Sequence, residues 1–190
     1  MMELNQLIEA LHVDKVITLE DIPNVDLYVD QVVQLFENSY QMTTRKPDEK
    51  VLTKTMINNY AKGKLFFPIK SKKYTKHHII LISLIYQLKG SLSINDIKSV
   101  LDELNNKLIT EEDFDLAALY TSFLHLTEKN VENFKEDIQK RLEEVKEETD
   151  VFEDEKLEQL LLVSSFVTIS NLYRRLAEKI VDEMNDATKK

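Results

Sequence analysis

Between Thr53 and Gly63 the sequence TKTMINNYAKG places Thr55, Asn58, Asn59 and Lys62 at i, i+3, i+4 and i+7, one stripe of an α-helix. The stripe holds two amides, a hydroxyl and an ammonium. In the major groove an asparagine can bond adenine through two base-edge atoms, a threonine can hydrogen-bond a base or touch a thymine methyl, and a lysine reaches guanine or phosphate. A solvent-facing helix would look the same, but asparagine is a poor helix former, and its appearance twice in mid-helix argues for a use.

The second set of residues is electrostatic. The stretch KLFFPIKSKKYTKHH, residues 64–78, carries five lysines, two histidines and no acid in a chain of formal net charge −9. Residues 1–44 hold 1 base against 8 acids, residues 45–100 hold 12 against 3, and residues 101–190 hold 12 against 23, so the partial charges of −7, +9 and −11 add to −9. From Lys54 to Lys89 there are eight lysines and no Asp or Glu. A polyanionic partner would exclude carboxylates in this way, because lysine–phosphate contacts dominate nucleic-acid affinity. The alternative is a basic face docked on the acidic C-terminal third of the same chain. Candidate phosphate contacts are Lys62, Lys64, Lys70, Lys72, Lys73 and Lys76. Tyr60 and Tyr74 read as packing residues, with the Tyr74 hydroxyl also a candidate phosphate donor.

Catalytic signatures are missing. With only Gly63 and Gly90 the chain has neither a G-x-G-x-x-G nor a G-x-x-x-x-G-K loop, which excludes nucleotide hydrolysis by those routes. His12, His77, His78 and His125 show no metal spacing, and carboxylate pairs such as Glu143 and Glu144 lie in charge-rich helix, where they are solvated rather than set as acid and base. We therefore expect no enzyme, no metal and no cofactor. The absence of cysteine fits a reducing cytoplasm, and MMELNQLIEALHVDK lacks the layout of a secretory signal. The apolar runs Ile79–Leu88 and Leu160–Tyr173 fall short of the roughly 20 residues that span a bilayer, so they read as buried helix and no membrane partner is expected.

Forty-three per cent hydrophobic residues with 2 Gly and 3 Pro predict a mostly α chain. The periodicity predicts a short helix over 5–11, a helix over 27–40, a helix capped by Thr53 and closed at Gly63, a buried helix over 76–89 ended by Gly90, and a helix from Ser93 with Asp96 completing a near capping box. Leu65–Ile69 and Lys73–Thr75 are expected as two short strands about a turn at Lys70–Lys72. A second near box, Thr110–Asp113, opens the C-terminal third as one long helix or two, with a break near Asp150 and a last helix from about Glu155 to Met184. That helix is apolar over a face too wide for one partner, which implies a bundle or a dimer interface.

This order of elements, with NNYAKGKLFFP, KKYT and IYQLKGSLSINDIKSVL, resembles the DNA-binding domain of the MerR-type transcription regulators. Tyr60, Leu65 and Pro68 match that family's second helix and loop, Lys73, Tyr74 and Thr75 stand at its wing step, and Leu88, Gly90, Ser91, Leu92, Ile97, Lys98 and Leu101 match its closing residues. The wing is shorter than the family's. Thr55 and Asn58 replace arginines usual in its recognition helix, and Lys76, His77 and His78 stand where acids usually open the next helix. More closely, the chain resembles the bacterial family of domain of unknown function 1836, which is associated with this MerR-like domain.

The resemblance implies an N-terminal extension over 1–26, a MerR-like winged helix-turn-helix with a short β wing over 27–107, and a C-terminal helical bundle or dimerisation region over 108–190. It implies a cytoplasmic, homodimeric, DNA-binding transcription regulator whose helix 53–62 enters the major groove, with Thr55, Asn58 and Asn59 reading bases. The rival reading is a protein-interaction adaptor that keeps the helix-turn-helix scaffold without binding DNA. MerR-type metal sensors use cysteines, so thiolate sensing is excluded here. An effector pocket lined by Phe114, Tyr120, Phe123 and Phe166 is a candidate, although aromatics at helical spacing are more often core.

Overall fold

The computed structural model describes residues 4–111, 113–151 and 154–188. The chain is mostly helical, with one small antiparallel pair of strands. In order, the elements are α1 (Leu4–Ala10), β1 (Leu27–Tyr28), α2 (Val29–Tyr40), α3 (Lys54–Lys62), β2 (Lys73–Tyr74), α4 (Lys76–Leu88), α5 (Ile94–Thr110), α6 (Leu116–Thr149) and α7 (Glu155–Thr188). They divide into two compact units, residues 1–126 and 127–190.

The first unit is organised around α4. This helix is apolar nearly all round, and such a helix is stable only when surrounded; His78 to Ser83 and Ile85 are all buried. Cover comes from Val32, Phe36 and Tyr40 of α2, Ile57 and Tyr60 of α3, Ile97 and Leu101 of α5, and Leu116 and Tyr120 at the start of α6. Residues 13–26 have no helix or strand, yet Ile17 and Ile22 join the same core. Two tyrosines hold the Ile17 backbone: the Tyr40 hydroxyl accepts its N–H at 3.2 Å, and the Tyr120 hydroxyl donates to its carbonyl at 2.6 Å. Burial pushes the Tyr120 phenol up to about 12, so it donates at any physiological pH.

The expected caps hold α3 and α5. The Thr53 hydroxyl accepts the Met56 N–H at 3.2 Å, and Ser93 and Asp96 bond each other's backbone N–H at 3.2 Å. Three expectations need correction. Residues 65–69 form no strand, because Pro68 has no N–H to give a ladder, and Lys73–Tyr74 pairs instead with Leu27–Tyr28, in the register Leu27 with Tyr74 and Tyr28 with Lys73. Leu27 and Tyr28, expected as the first helical residues of α2, are therefore extended. The box at Thr110–Asp113 does not open α6: the Thr110 hydroxyl donates back to Asn106 O at 2.9 Å within α5, and Asp115 caps α6 by accepting the Ala118 N–H at 2.9 Å. Glu112 of that motif lies outside the described residues.

In the second unit, the rest of α6 and all of α7 bury Ile138, Val145, Thr149 and Val181. Ten large apolar residues of α7 between Leu157 and Met184 are exposed. No helix among the described residues is long and apolar enough to cross a membrane.

Candidate nucleic-acid interface

α3 turns Ile57 and Tyr60 into the core, which leaves Thr55, Asn58, Asn59 and Lys62 exposed as one polar stripe. The first-turn residue Lys54 is ion-paired with Asp30 of α2. The helix ends in a Schellman motif: Leu65 N–H donates to Tyr60 O at 3.0 Å and Lys64 N–H to Ala61 O at 3.1 Å. The left-handed residue of that motif is normally glycine, but here it is Lys64, with φ 56°. Gly63, one place earlier, has an ordinary helical φ of −72°. It serves packing instead, since a Cβ there would come within 2.7 Å of Leu65 Cδ1.

A second lysine is held in the same way. Lys73 N–H donates to Lys70 O at 3.0 Å, closing a turn whose central residues Ser71 and Lys72 have φ of 51° and 59°. Positive φ at both positions is the type I′ arrangement, which favours Asn-Gly, and an ordinary side chain in the left-handed region costs about 1–2 kcal/mol. Lys62, Lys64, Lys70 and Lys72 are exposed and have no ion-pair partner among the described residues. Lys73 and Lys76 are half-buried. The Lys73 ammonium lies 5.5 Å from the centre of the Tyr28 ring, and the Lys76 ammonium donates to Leu19 O at 3.4 Å. Tyr74 is buried edge-on to Phe66 and His78, and desolvation raises its phenol pKa; of its two readings, the geometry gives it packing.

Two buried polar side chains that the sequence did not single out lie beneath this surface. His78, noted in the sequence for lacking metal spacing and for standing where an acid usually opens the helix, is 2% exposed. Its Nδ1 faces the Thr75 N–H at 3.2 Å and its Nε2 faces Phe67 O at 3.2 Å. An N–H can only donate and a carbonyl can only accept, so Nδ1 is bare and Nε2 carries the proton. Burial lowers the pKa of this neutral imidazole, against the smaller opposing effect of the Phe67 carbonyl. Asn105, 7% exposed, donates through Nδ2 to Leu65 O at 2.9 Å and Leu101 O at 3.0 Å.

Three of the candidate effector residues, Phe114, Tyr120 and Phe123, pack in or against the core of the first unit. Tyr120 stacks on Phe123 at 5.7 Å and belongs to the core, Phe114 lies 5.8 Å from the Lys107 ammonium, and Phe166 is in the second unit. Among the described residues no three His, Cys, Asp or Glu side chains are grouped to hold a metal ion.

A family model described as "Domain of unknown function (DUF1836)" matches residues 17–123, more than half of the chain. The match opens at Ile17, gripped by Tyr40 and Tyr120, and closes just before the end of the first unit at Leu126. No curated protein and no solved structure matches the chain.

Proposed function

We propose that this chain, which belongs to the DUF1836 family, is a cytoplasmic DNA-binding transcription regulator of MerR-like type. The observation that carries the reading is the acid-free segment from Lys54 to Lys89, which presents Lys62, Lys64, Lys70 and Lys72, exposed and without an ion-pair partner among the described residues, next to an exposed stripe of Thr55, Asn58 and Asn59. In this reading α3 is the recognition helix, the turn at Lys70–Lys73 is the tip of a short wing, and the β1–β2 pair ties that wing to the helix-turn-helix. Thr55, Asn58 and Asn59 read bases, and the six lysines from Lys62 to Lys76 contact phosphates.

A second copy of the chain completes the reading. Ten apolar side chains of α7 are exposed, spread around the helix, more apolar surface than a solvated helix shows, and this reading assigns part of it to a second copy. Gln159–Tyr173 is uncharged, with Asp154, Glu155, Lys156 and Glu158 before it and Arg174 and Arg175 after it, Arg174 also pairing with Glu178. Antiparallel α7 helices would set acids against arginines, while parallel ones would oppose like charges. A dimer would present two reading helices to two half-sites.

The test is fluorescence anisotropy of the full chain with sheared genomic DNA across salt. Six phosphate contacts predict affinity falling about a thousandfold between 50 and 200 mM salt. Replacing Asn58 and Asn59 by Ala should erase sequence discrimination while leaving non-specific binding intact. Absence of binding at low salt would sink the reading and leave the protein-docking adaptor in its place.

A further inference from the structure

Leu65 to Ile69 joins α3 to the basic turn, yet neither helix nor strand orders it. Its carbonyls are held instead by side chains of two other helices, Leu65 O by Asn105 of α5 and Phe67 O by His78 of α4. The first contact falls on the residue that closes the Schellman motif after α3. The Leu65 N–H is already bound to Tyr60 O, so Asn105 fixes the other side of that residue. The second contact crosses the base of the turn, because one imidazole bonds Phe67 before the turn and Thr75 after it.

We propose that Asn105 and His78 are positioning residues of the basic face: together they clamp the Leu65 and Phe67 carbonyls so that Lys64, Lys70 and Lys72 engage one nucleic-acid backbone at the same time. The proposal rests on the nucleic-acid reading above. Neither residue type is explained by packing alone. Asn105 leaves its buried Oδ1 without a partner, and turning the amide over would set that oxygen against two carbonyls, so the orientation is forced. An apolar residue would remove the orphaned acceptor and still fill the space, so what the amide supplies is its two donor contacts, one to Leu101 O within α5 and one that crosses to Leu65 O. At the position of His78 a capping box ordinarily uses Glu or Gln, which would cap α4. The imidazole adds a rigid donor on its far side, and that donor meets Phe67.

The test uses His78→Gln, which keeps a capping acceptor and drops the bond to Phe67, and Asn105→Leu, both in the full chain. Tyr120→Phe is the comparator, because it weakens a core hydrogen bond that does not involve the loop. Hydrogen exchange of the free protein should show amides 64–74 opening about tenfold faster in either clamp variant while α4 and α5 keep their protection. Anisotropy should show the slope of log affinity on log salt falling by about two, although every lysine remains. A merely structural role would lower the melting temperature, as Tyr120→Phe does, and leave that slope at the wild-type value. Wild-type exchange at 64–74 with an unchanged slope overturns the proposal, as does exchange accelerating throughout the first unit. Should Asn105→Leu fail to fold, His78→Gln decides alone. Should the wild type not bind DNA, the parent reading fails, and the exchange measurement still judges whether the clamp orders the turn.

Discussion

Lys72 offers a prediction in which stability and binding move in opposite directions. Its φ of 59° lies where a non-glycine residue loses about 1–2 kcal/mol. Replacing it with glycine relieves that strain and gives back part of the gain through a freer unfolded chain, for a net stabilisation of about 0.5–1 kcal/mol. For a cooperative unit of this size that is a rise in melting temperature of about 3 °C. The same change removes one ammonium, so the slope of log affinity on log salt should fall by about 0.9, and the loss of affinity between 50 and 200 mM salt should shrink by about 3.5-fold. Lys72→Ala is the control: it drops the charge and keeps the strain, so it should match the glycine variant in slope and show no gain in melting temperature. Calorimetry and anisotropy on the same preparations give both numbers. A glycine variant that binds with the wild-type slope would show that Lys72 touches no phosphate, and one that melts no higher would show that its backbone carries no such strain.

Acid should weaken the first unit through His78. Burial pushes its imidazole below the ordinary 6.5, so between the two values the unfolded chain binds a proton that the folded chain refuses. The stabilisation is complete above pH 6.5 and is lost as pH falls towards the lowered folded value, and His78→Gln should remove that part of the decline in urea midpoints measured from pH 7 to pH 5. Tyr120→Phe leaves the Ile17 carbonyl without its donor and should cost about 1–2 kcal/mol in a denaturant titration; an unchanged midpoint would mean that residues 13–26 do not depend on that bond. Leu160→Glu combined with Val167→Glu places charge on the exposed face of α7 and should halve the mass measured by sedimentation while helix content stays constant; a dimer that survives would locate the contact elsewhere.

What was legible in the sequence was local. The cap at Thr53 and the box at Ser93 need three residues of context, and α4 announces itself because nearly every position from Ile79 to Leu88 is apolar. The missed features are long-range or too short to carry a period. Asn105 reaches Leu65 across 40 residues, and Tyr120 reaches Ile17 across 103, distances over which one chain shows no pattern. Strands of two residues cannot display alternation, so the pairing of Leu27–Tyr28 with Lys73–Tyr74 was invisible. Gly63 shows a different limit. Its type correctly marked the end of α3, but for the wrong reason, since the left-handed position falls on Lys64, while a Cβ at Gly63 would press on the tip of the buried Leu65 side chain.

One argument for a partner comes from where carboxylates are placed along this chain. Lys98 pairs with Asp102, Arg141 with Asp137, Arg174 with Glu178 and Lys179 with Glu183, each one helical turn apart. Other bases, such as Arg45, Lys46, Lys50 and Arg175, make no such pair among the described residues, so what sets the central lysines apart is that no carboxylate lies within reach along their own segment. Lys62, Lys64, Lys70 and Lys72 have no ion-pair partner among the described residues, and two of them occupy backbone conformations that disfavour any side chain. An exposed ammonium with no ion-pair partner among the described residues is held by water and stays open to an external anion. Phosphate on a nucleic acid and carboxylate on an acidic protein both supply one. The lysines cannot separate the two, and the choice between them falls on Asn58 and Asn59, whose amides matter to a base edge and hardly at all to a carboxylate.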